Sequence, residues 1–303
     1  MRRRRISNPF TEASSAQPSS DLRSRLRRDF HGRVVVITGA SSGIGTATAR
    51  LFASEGASVV LGARRANALE AISSEIASAG GKASSVATDV TRAEDVQRLV
   101  ETALRDFGRI DILINNAGAG VYGPVDATPM EEYSRMIELN YLAAVSCTKA
   151  VLPHMETQKS GQIVNVSSIL GRRGTPYSSA YCASKFALSG FTEALRAEVR
   201  RYGIDVILIN PSTTHTEFFE QMNYVTRPRR RNPVSDSAER VARIILRACH
   251  RGKHESNLIS GAPLLWINRL SPRLTDWALE LYAKDALKEP KETTTQPLSR
   301  NER

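Results

Sequence analysis

The sequence predicts one large α/β domain built on a doubly wound parallel sheet, a three-layer α/β/α sandwich. Three observations carry this. From position 33 onward, short β-branched runs alternate with longer helical stretches, the pattern of strand–helix–strand units. The runs Val34-Val35-Val36-Ile37 and Ile112-Leu113-Ile114 are apolar throughout, as strands covered on both faces must be. A glycine-rich turn then follows directly on the first of these runs. In order, the expected elements are a strand at 34–38, an Ala-rich helix to about 54, a strand at 57–61 and a helix at 66–79. A short strand at 83–88, a helix at 96–106 and a strand at 110–115 come next. A long helix is expected at 130–151, then a strand at 163–167, a helix at 179–200, a strand at 205–210 and a helix at 237–250. No internal repeat interrupts the series.

Bulk properties narrow the function classes. The chain has 303 residues and 41% apolar content, enough for a full core. Its three cysteines, Cys147, Cys182 and Cys249, are widely spaced and lack metal-ligand spacing. This argues for a reducing compartment and against disulfides or zinc. No apolar run approaches the ~20 residues of a membrane span, and the opening arginines precede no apolar signal segment. A cytoplasmic protein is expected, with membrane-surface association left open. The net charge is +11, and residues 1–33 hold nine arginines against Glu12, Asp21 and Asp29. That segment reads as a disordered solubilising tail, the alternatives being a targeting peptide or a contact for anionic membrane or nucleic acid. A nucleic-acid role is not expected of the core. The domain plan is therefore a basic segment at 1–30, the α/β domain at 31–262 and an extension at 263–303. The extension mixes Leu264, Leu265, Trp266, Ile267, Leu270, Leu274, Trp277, Leu279 and Leu281 with Pro263 and Pro272. It is expected to be partly helical, packing on the core, on a partner subunit or on a membrane surface.

The turn Thr38-Gly39-Ala40-Ser41-Ser42-Gly43-Ile44-Gly45 sits between a strand and a helix. Glycines there let backbone N–H groups approach a pyrophosphate at a helix N-terminus, although a tight packing turn has the same composition. At the end of the second strand Arg64 and Arg65 stand where an NAD site usually has an acid. They suit a ribose 2′-phosphate, the alternative being solvated arginines at a helix start. Tyr181 and Lys185 lie one helical turn apart, so the ammonium can favour the phenolate. Alone, Tyr-x-x-x-Lys is common. Ser168 stands thirteen residues before the tyrosine. His154, His215, His250 and His254 show no ligand spacing, and Cys182 reads as a core filler.

Together these pieces resemble the short-chain dehydrogenase/reductase family over about residues 33–262. The matching motifs are Thr38-Gly39-x-x-x-Gly43-x-Gly45, Asn115-Asn116-Ala117-Gly118, Asn140, Ser168, Tyr181-x-x-x-Lys185 and Pro211 to Thr216. The resemblance implies a Rossmann-type fold and hydride transfer between a nicotinamide and a ketone, aldehyde or secondary alcohol. It implies Tyr181 as general acid/base and Lys185 as the group that lowers its pKa and binds the nicotinamide ribose. Ser168 would polarise the carbonyl, and Asn140 would support the proton relay. Implied cofactor contacts are Gly39, Ser41, Ser42, Gly43, Ile44, Gly45, Arg64, Arg65, Asp89, Val90, Asn116, Ala117, Gly118, Tyr181, Lys185, Pro211, Thr214 and Thr216. NADP(H) is expected over NAD(H), with Arg64 the leading contact. Asn115 is expected to stabilise the sheet. Ser212 departs from the family's glycine after the proline, which puts the local backbone path in question. The segment 212–234, with Phe218, Phe219, Met222, Tyr224 and four following arginines, reads as a substrate lid or a solvated loop. Arg172 and Arg173 are expected at its rim. Partners implied are a small carbonyl or alcohol substrate, an apolar one among the candidates, and a second copy of the chain in a homodimer or homotetramer. The competing readings are a dinucleotide-binding sensor without turnover and an adaptor built on the basic N-terminus.

Overall fold

The computed structural model describes residues 29–226, 235–257 and 262–286. Most of the arginine-rich start, the arginines at 227, 229, 230 and 231, and the chain beyond 286 lie outside the described residues. Seven strands form one parallel sheet: β1 (Val34–Thr38), β2 (Ser58–Ala63), β3 (Lys82–Ala87), β4 (Ile112–Asn115), β5 (Gly161–Val166), β6 (Ile204–Asn210) and β7 (Glu255–Asn257). Their order is β3-β2-β1-β4-β5-β6-β7. The chain works outward from β1 to β3, returns to β4 and continues the other way. That reversal opens a crevice at the carboxyl ends of β1 and β4, the place where such sheets bind ligands.

The period of two along each strand divides the core. Val35, Ile37, Val59, Leu61, Ile114, Val164 and Ile207 face one helical layer. It contains α1 (Gly43–Ser54), α2 (Ala66–Ser78) and α7 (Ala238–Arg251). Val34, Val36, Val60, Leu113, Ile163 and Val206 face the other, formed by α3 (Ala93–Phe107), α5 (Ala143–Gln158) and α6 (Ser179–Val199). Each such side chain, fully removed from water, contributes about 1.5–3 kcal/mol. The expected three-layer, Rossmann-type sandwich is the observed one.

Differences from the expected elements have local causes. The long helix expected at 130–151 is α4 (Met130–Ile137) and α5, joined through one π-turn at Glu138–Leu142. The wider turn falls on Asn140. α5 also runs past Pro153, five residues beyond that proline, before Lys159 closes it with φ +50°. The short β7 follows α7 and escaped the reading because its Glu-Ser-Asn sequence has no strand character. In the extension, α8 (Ala262–Leu270) and α9 (Pro272–Ala286) make a helical hairpin. Pro272 opens α9 at a position where a missing N–H costs nothing.

Candidate active site

At the carboxyl end of β1 the backbone turns through Gly39 (φ +65°) and Gly43 (φ +54°), a conformation that disfavours a Cβ. A Cβ on Gly45 would lie 2.2 Å from the Gly39 carbonyl oxygen, and one on Gly43 would lie 2.9 Å from Thr216 Cγ2. The turn is therefore a bare backbone cradle roofed by Thr216. Ser42 is the N-cap of α1, its side chain makes no cap bond, and the first turn carries no acid. These features fit a diphosphate: free N–H groups and an uncompensated positive helix end. Ile44 packs into the core. The floor is tied to β4, where Asn116 N and Ala117 N donate to Thr38 Oγ1 at 3.0 and 3.1 Å. Asn116 Nδ2 donates to the Thr38 and Gly39 carbonyls, both at 3.1 Å.

Arg65 lies over the cradle. Its guanidinium donates to Ser41 O at 3.2 Å and Ser41 Oγ at 3.3 Å, and pairs with Glu217 at 3.0 Å. Arg64, expected to lead, is exposed and makes no ion pair among the described residues. Asp89 accepts from Thr91 N and Oγ1 at 3.0 and 2.7 Å, holding the turn after β3, and Val90 is buried beside it. Beyond β6, the Pro211 carbonyl accepts from Ile169 N at 2.9 Å, and Thr214 Oγ1 donates to Ser212 O at 3.0 Å. Ser212 Oγ donates to Asp236 Oδ2 at 2.6 Å, so the serine in place of glycine is absorbed by a local hydrogen bond.

Asn140, Ser168 and the α6 pair Tyr181 and Lys185 come from three separate segments, and Asn140 and Lys185 meet beside Gly118. A Cβ there would sit 2.7 Å from Asn140 Oδ1 and 3.5 Å from Lys185 Nζ. The π-turn aims Asn140 inward, where it exchanges hydrogen bonds with the Ala119 backbone at 2.9 and 3.0 Å and donates to Ser184 Oγ at 3.0 Å. Lys185 Nζ donates to the Val166 carbonyl at 2.9 Å and lies 5.9 Å from the Tyr181 ring centre. Ser168 caps the 3-10 turn Ile169–Gly171 by accepting from Leu170 N at 3.1 Å, and its hydroxyl lies near enough to the Tyr181 phenol to favour the phenolate. Neighbouring Ser167 instead bonds the Lys185 carbonyl at 3.1 Å and Ser189 at 3.2 Å. It is structural, which separates it from Ser168. Asn115 Nδ2 donates to Asn165 Oδ1 at 2.9 Å, stitching β4 to β5 as expected.

Burial dominates the electrostatics of the cluster. Burial pushes Tyr181 up to about 12, against the lowering effect of the Ser168 hydrogen bond. Burial likewise pulls Lys185 down to about 8. Desolvation disfavours both charged forms and is the largest influence on each group. A phenol held protonated is suited to donate a proton.

Phe218 packs on Tyr181 with ring centres 6.0 Å apart, so this part of the 212–234 segment lies against the tyrosine. Gly120 faces Met222 and Phe218 of this segment, where a Cβ would lie 2.5 and 3.0 Å from them. Arg172 and Arg173 do not border an open rim. Arg172 pairs with Glu193 at 2.6 Å and Glu255 at 2.8 Å, while Arg173 donates to Asn268 Oδ1 at 2.9 Å and pairs with Asp276. The reach of Arg173 into the extension and the neighbouring tyrosines 122, 177, 224 and 282 went unread, since their sequence separations carry no periodic signal.

The sheet order, the glycine cradle and the Ser168–Tyr181–Lys185 cluster define a nucleotide-binding oxidoreductase class. The family profile of the short chain dehydrogenases matches residues 33–225, and the chain belongs to that family. It is an oxidoreductase acting on CH–OH and C=O groups. It is 36% identical over 282 residues to dehydrogenase/reductase SDR family member 7B of Bos taurus, covering 88% of this chain and 85% of that one. Among solved structures it is similar to a metagenomic short-chain oxidoreductase in complex with NADP. The identity is 32%, the coverage 76% of this chain and 98% of that one, and the TM-score 0.64. It is also similar to 3-ketoacyl-(acyl-carrier-protein) reductase from Brucella melitensis, complexed with NADH, at 28% identity, 75% and 98% coverage and a TM-score of 0.68.

Proposed function

We propose that the protein is an NADP(H)-dependent carbonyl reductase or alcohol dehydrogenase in which Tyr181 carries the proton. The supporting observation is the convergence of Asn140, Ser168, Tyr181 and Lys185 beside Gly118, next to a bare diphosphate cradle. Residues 39–45, Asn116, Ala117, Gly118, Thr214 and Thr216 hold the dinucleotide, and Asp89 and Val90 border its adenine. Arg65, oriented by Ser41 and Glu217, meets the 2′-phosphate with Arg64 beside it. Of the two similar solved structures, one is in complex with NADP and the other with NADH, so the preference for NADPH rests on these two arginines.

When bound, the nicotinamide supplies or receives the hydride at the carbonyl carbon. Ser168 donates a hydrogen bond to the substrate oxygen, polarising the C=O bond. Tyr181 gives that oxygen its proton in reduction and takes it back in oxidation. Lys185 binds the nicotinamide ribose, and Asn140, pinned by Ala119 and Ser184, anchors the relay that returns a proton to Tyr181. Phe218 and Met222 exclude water above Tyr181 and favour an apolar substrate. Among the described residues no helix is long and apolar enough to cross a membrane. We place the protein in the cytoplasm. The exposed Leu142 and Phe186 support a homodimer or homotetramer, and the exposed Trp277 and Leu281 of α9 support peripheral membrane contact.

The test is oxidation of NADPH and of NADH with a panel of ketones and aldehydes. Turnover with NADPH at least tenfold better than with NADH is expected. A preference for NADH would overturn the role of the arginines, and tight binding without turnover would favour a sensing role.

A further inference from the structure

The segment 169–180 joins Ser168 to Tyr181, the tyrosine itself being held on α6. Three of its contacts leave the Rossmann core for the C-terminal hairpin. Arg173, its side chain 19% exposed, donates to Asn268 Oδ1 on α8 at 2.9 Å and pairs with Asp276 on α9. Tyr177 donates through its hydroxyl to the Ala283 carbonyl on α9 at 3.0 Å. Tyr177 is also a non-glycine residue at φ +62°, a backbone state that costs about 1–3 kcal/mol and persists only where its surroundings enforce it. Its carbonyl accepts from Gly123 N at 2.8 Å.

Around this anchor the side chains are aromatic. Tyr177 packs on Tyr122 with ring centres 5.7 Å apart, and Tyr122 on Tyr224 at 6.4 Å. The Tyr122 hydroxyl is buried with no partner at hydrogen-bond geometry. Burial, then the Tyr282 phenol of α9 beside it, raises its pKa. Gly120, two residues before Tyr122, faces Phe218 and Met222, and Phe218 packs on Tyr181. An aromatic wall thus runs from the catalytic phenol to α9.

We infer that the α8–α9 hairpin is the outer wall of the substrate site, with Arg173 a positioning residue that ties it to the Ser168–Tyr181 segment. The wall selects carbonyl compounds with a long apolar tail over small ketones. This rests on the carbonyl-reductase reading and names its substrate class. Tail and hairpin lose apolar surface to each other, which strengthens binding with each methylene added.

The test uses the full chain and a series of methyl ketones: propanone, 2-octanone and 2-dodecanone. Wild type should show kcat/KM rising at least 100-fold along the series. Asp276→Ala, which removes the partner of Arg173, should raise KM for 2-dodecanone about tenfold, leave propanone turnover within twofold and leave NADPH affinity unchanged. Asp276→Asn, which keeps a hydrogen-bond acceptor, should restore most of the loss. Equal losses across the series, or none, would overturn the inference while leaving reductase activity standing. A second readout does not depend on turnover. Trp266 and Trp277 are the chain's only tryptophans, both on the hairpin and 62% and 57% exposed. Adding 2-dodecanone should change their emission at concentrations where propanone does not. An unchanged emission would overturn the hairpin's role whether or not any ketone is reduced.

Discussion

Lys185→Met isolates the stability cost of the buried lysine. Lys185 is 4% exposed, and burial moves its pKa from 10.5 to about 8. The folded state therefore holds this proton less tightly than the unfolded chain. Between pH 8 and 10.5 the unfolded chain carries more protons, so stability rises with pH through that window. The whole shift corresponds to about 3 kcal/mol, of which about 2 kcal/mol falls between pH 8 and pH 10. Methionine keeps the volume and removes the charge. It also leaves the Val166 carbonyl without its 2.9 Å donor, a loss that does not vary with pH. Tyr181 does not confuse the result. Its raised pKa contributes stability that is fully present below pH 10 and lost only as pH climbs towards about 12. The assay is guanidinium unfolding of wild type and Lys185→Met at pH 7, 8, 9 and 10. Wild type should gain about 2 kcal/mol on the variant from pH 8 to 10 and only about 0.4 kcal/mol from pH 7 to 8. Parallel profiles would show that the ammonium is not penalised by burial, and the electrostatic account of the site would fall.

Three further outcomes are expected. Arg65→Ala should raise KM for NADPH about 10- to 100-fold, the loss of one charge-assisted contact, and leave KM for NADH within threefold in steady-state kinetics. Asn140→Ala orphans the Ala119 N–H and carbonyl and leaves the Ser184 hydroxyl with its bond to the Tyr181 carbonyl alone. It should cost about 2–4 kcal/mol in denaturant unfolding and reduce kcat as well. Asp111 is 3% exposed; burial is the largest influence on it and would raise its pKa, but Arg109, Val34 N–H and Arg33 together hold it lowered. Its contribution to stability is present above the ordinary carboxylate range and fades as pH falls through the folded value. Asp111→Ala should cost about 3 kcal/mol at pH 7 and flatten the acid limb of the unfolding profile.

Much of the domain was legible because the sheet is parallel and buried. Strands such as Val34–Thr38 are apolar on both faces, so they stand out without alternation, and glycine at 39, 43 and 45 marks a turn that only a close backbone approach requires. The site residues were legible as types at spacings: Tyr181 and Lys185 share a helix face, and Ser168 is separable from Ser167. Position was harder. The contacts of Arg65 with Ser41 and Glu217 were not legible, because Glu217 lies 152 residues on. The burial of Lys185 was also hidden, since its spacing to Tyr181 states proximity but says nothing about exposure to water. The π-turn at Asn140 follows from the buried partners Ala119 and Ser184, which no helical pattern foretells. The hairpin contacts of Arg173 and Tyr177 span about a hundred residues and have no local signature.

The proton role of Tyr181 is the centre of the account, and Tyr181→Phe tests it most directly. The variant keeps the ring that packs on Phe218 and removes the hydroxyl alone. Fluorescence titration with NADPH should give a Kd within threefold of wild type, while ketone reduction falls at least 100-fold, the scale of a lost general acid. Reduction that persists near the wild-type rate with NADPH bound would contradict the account.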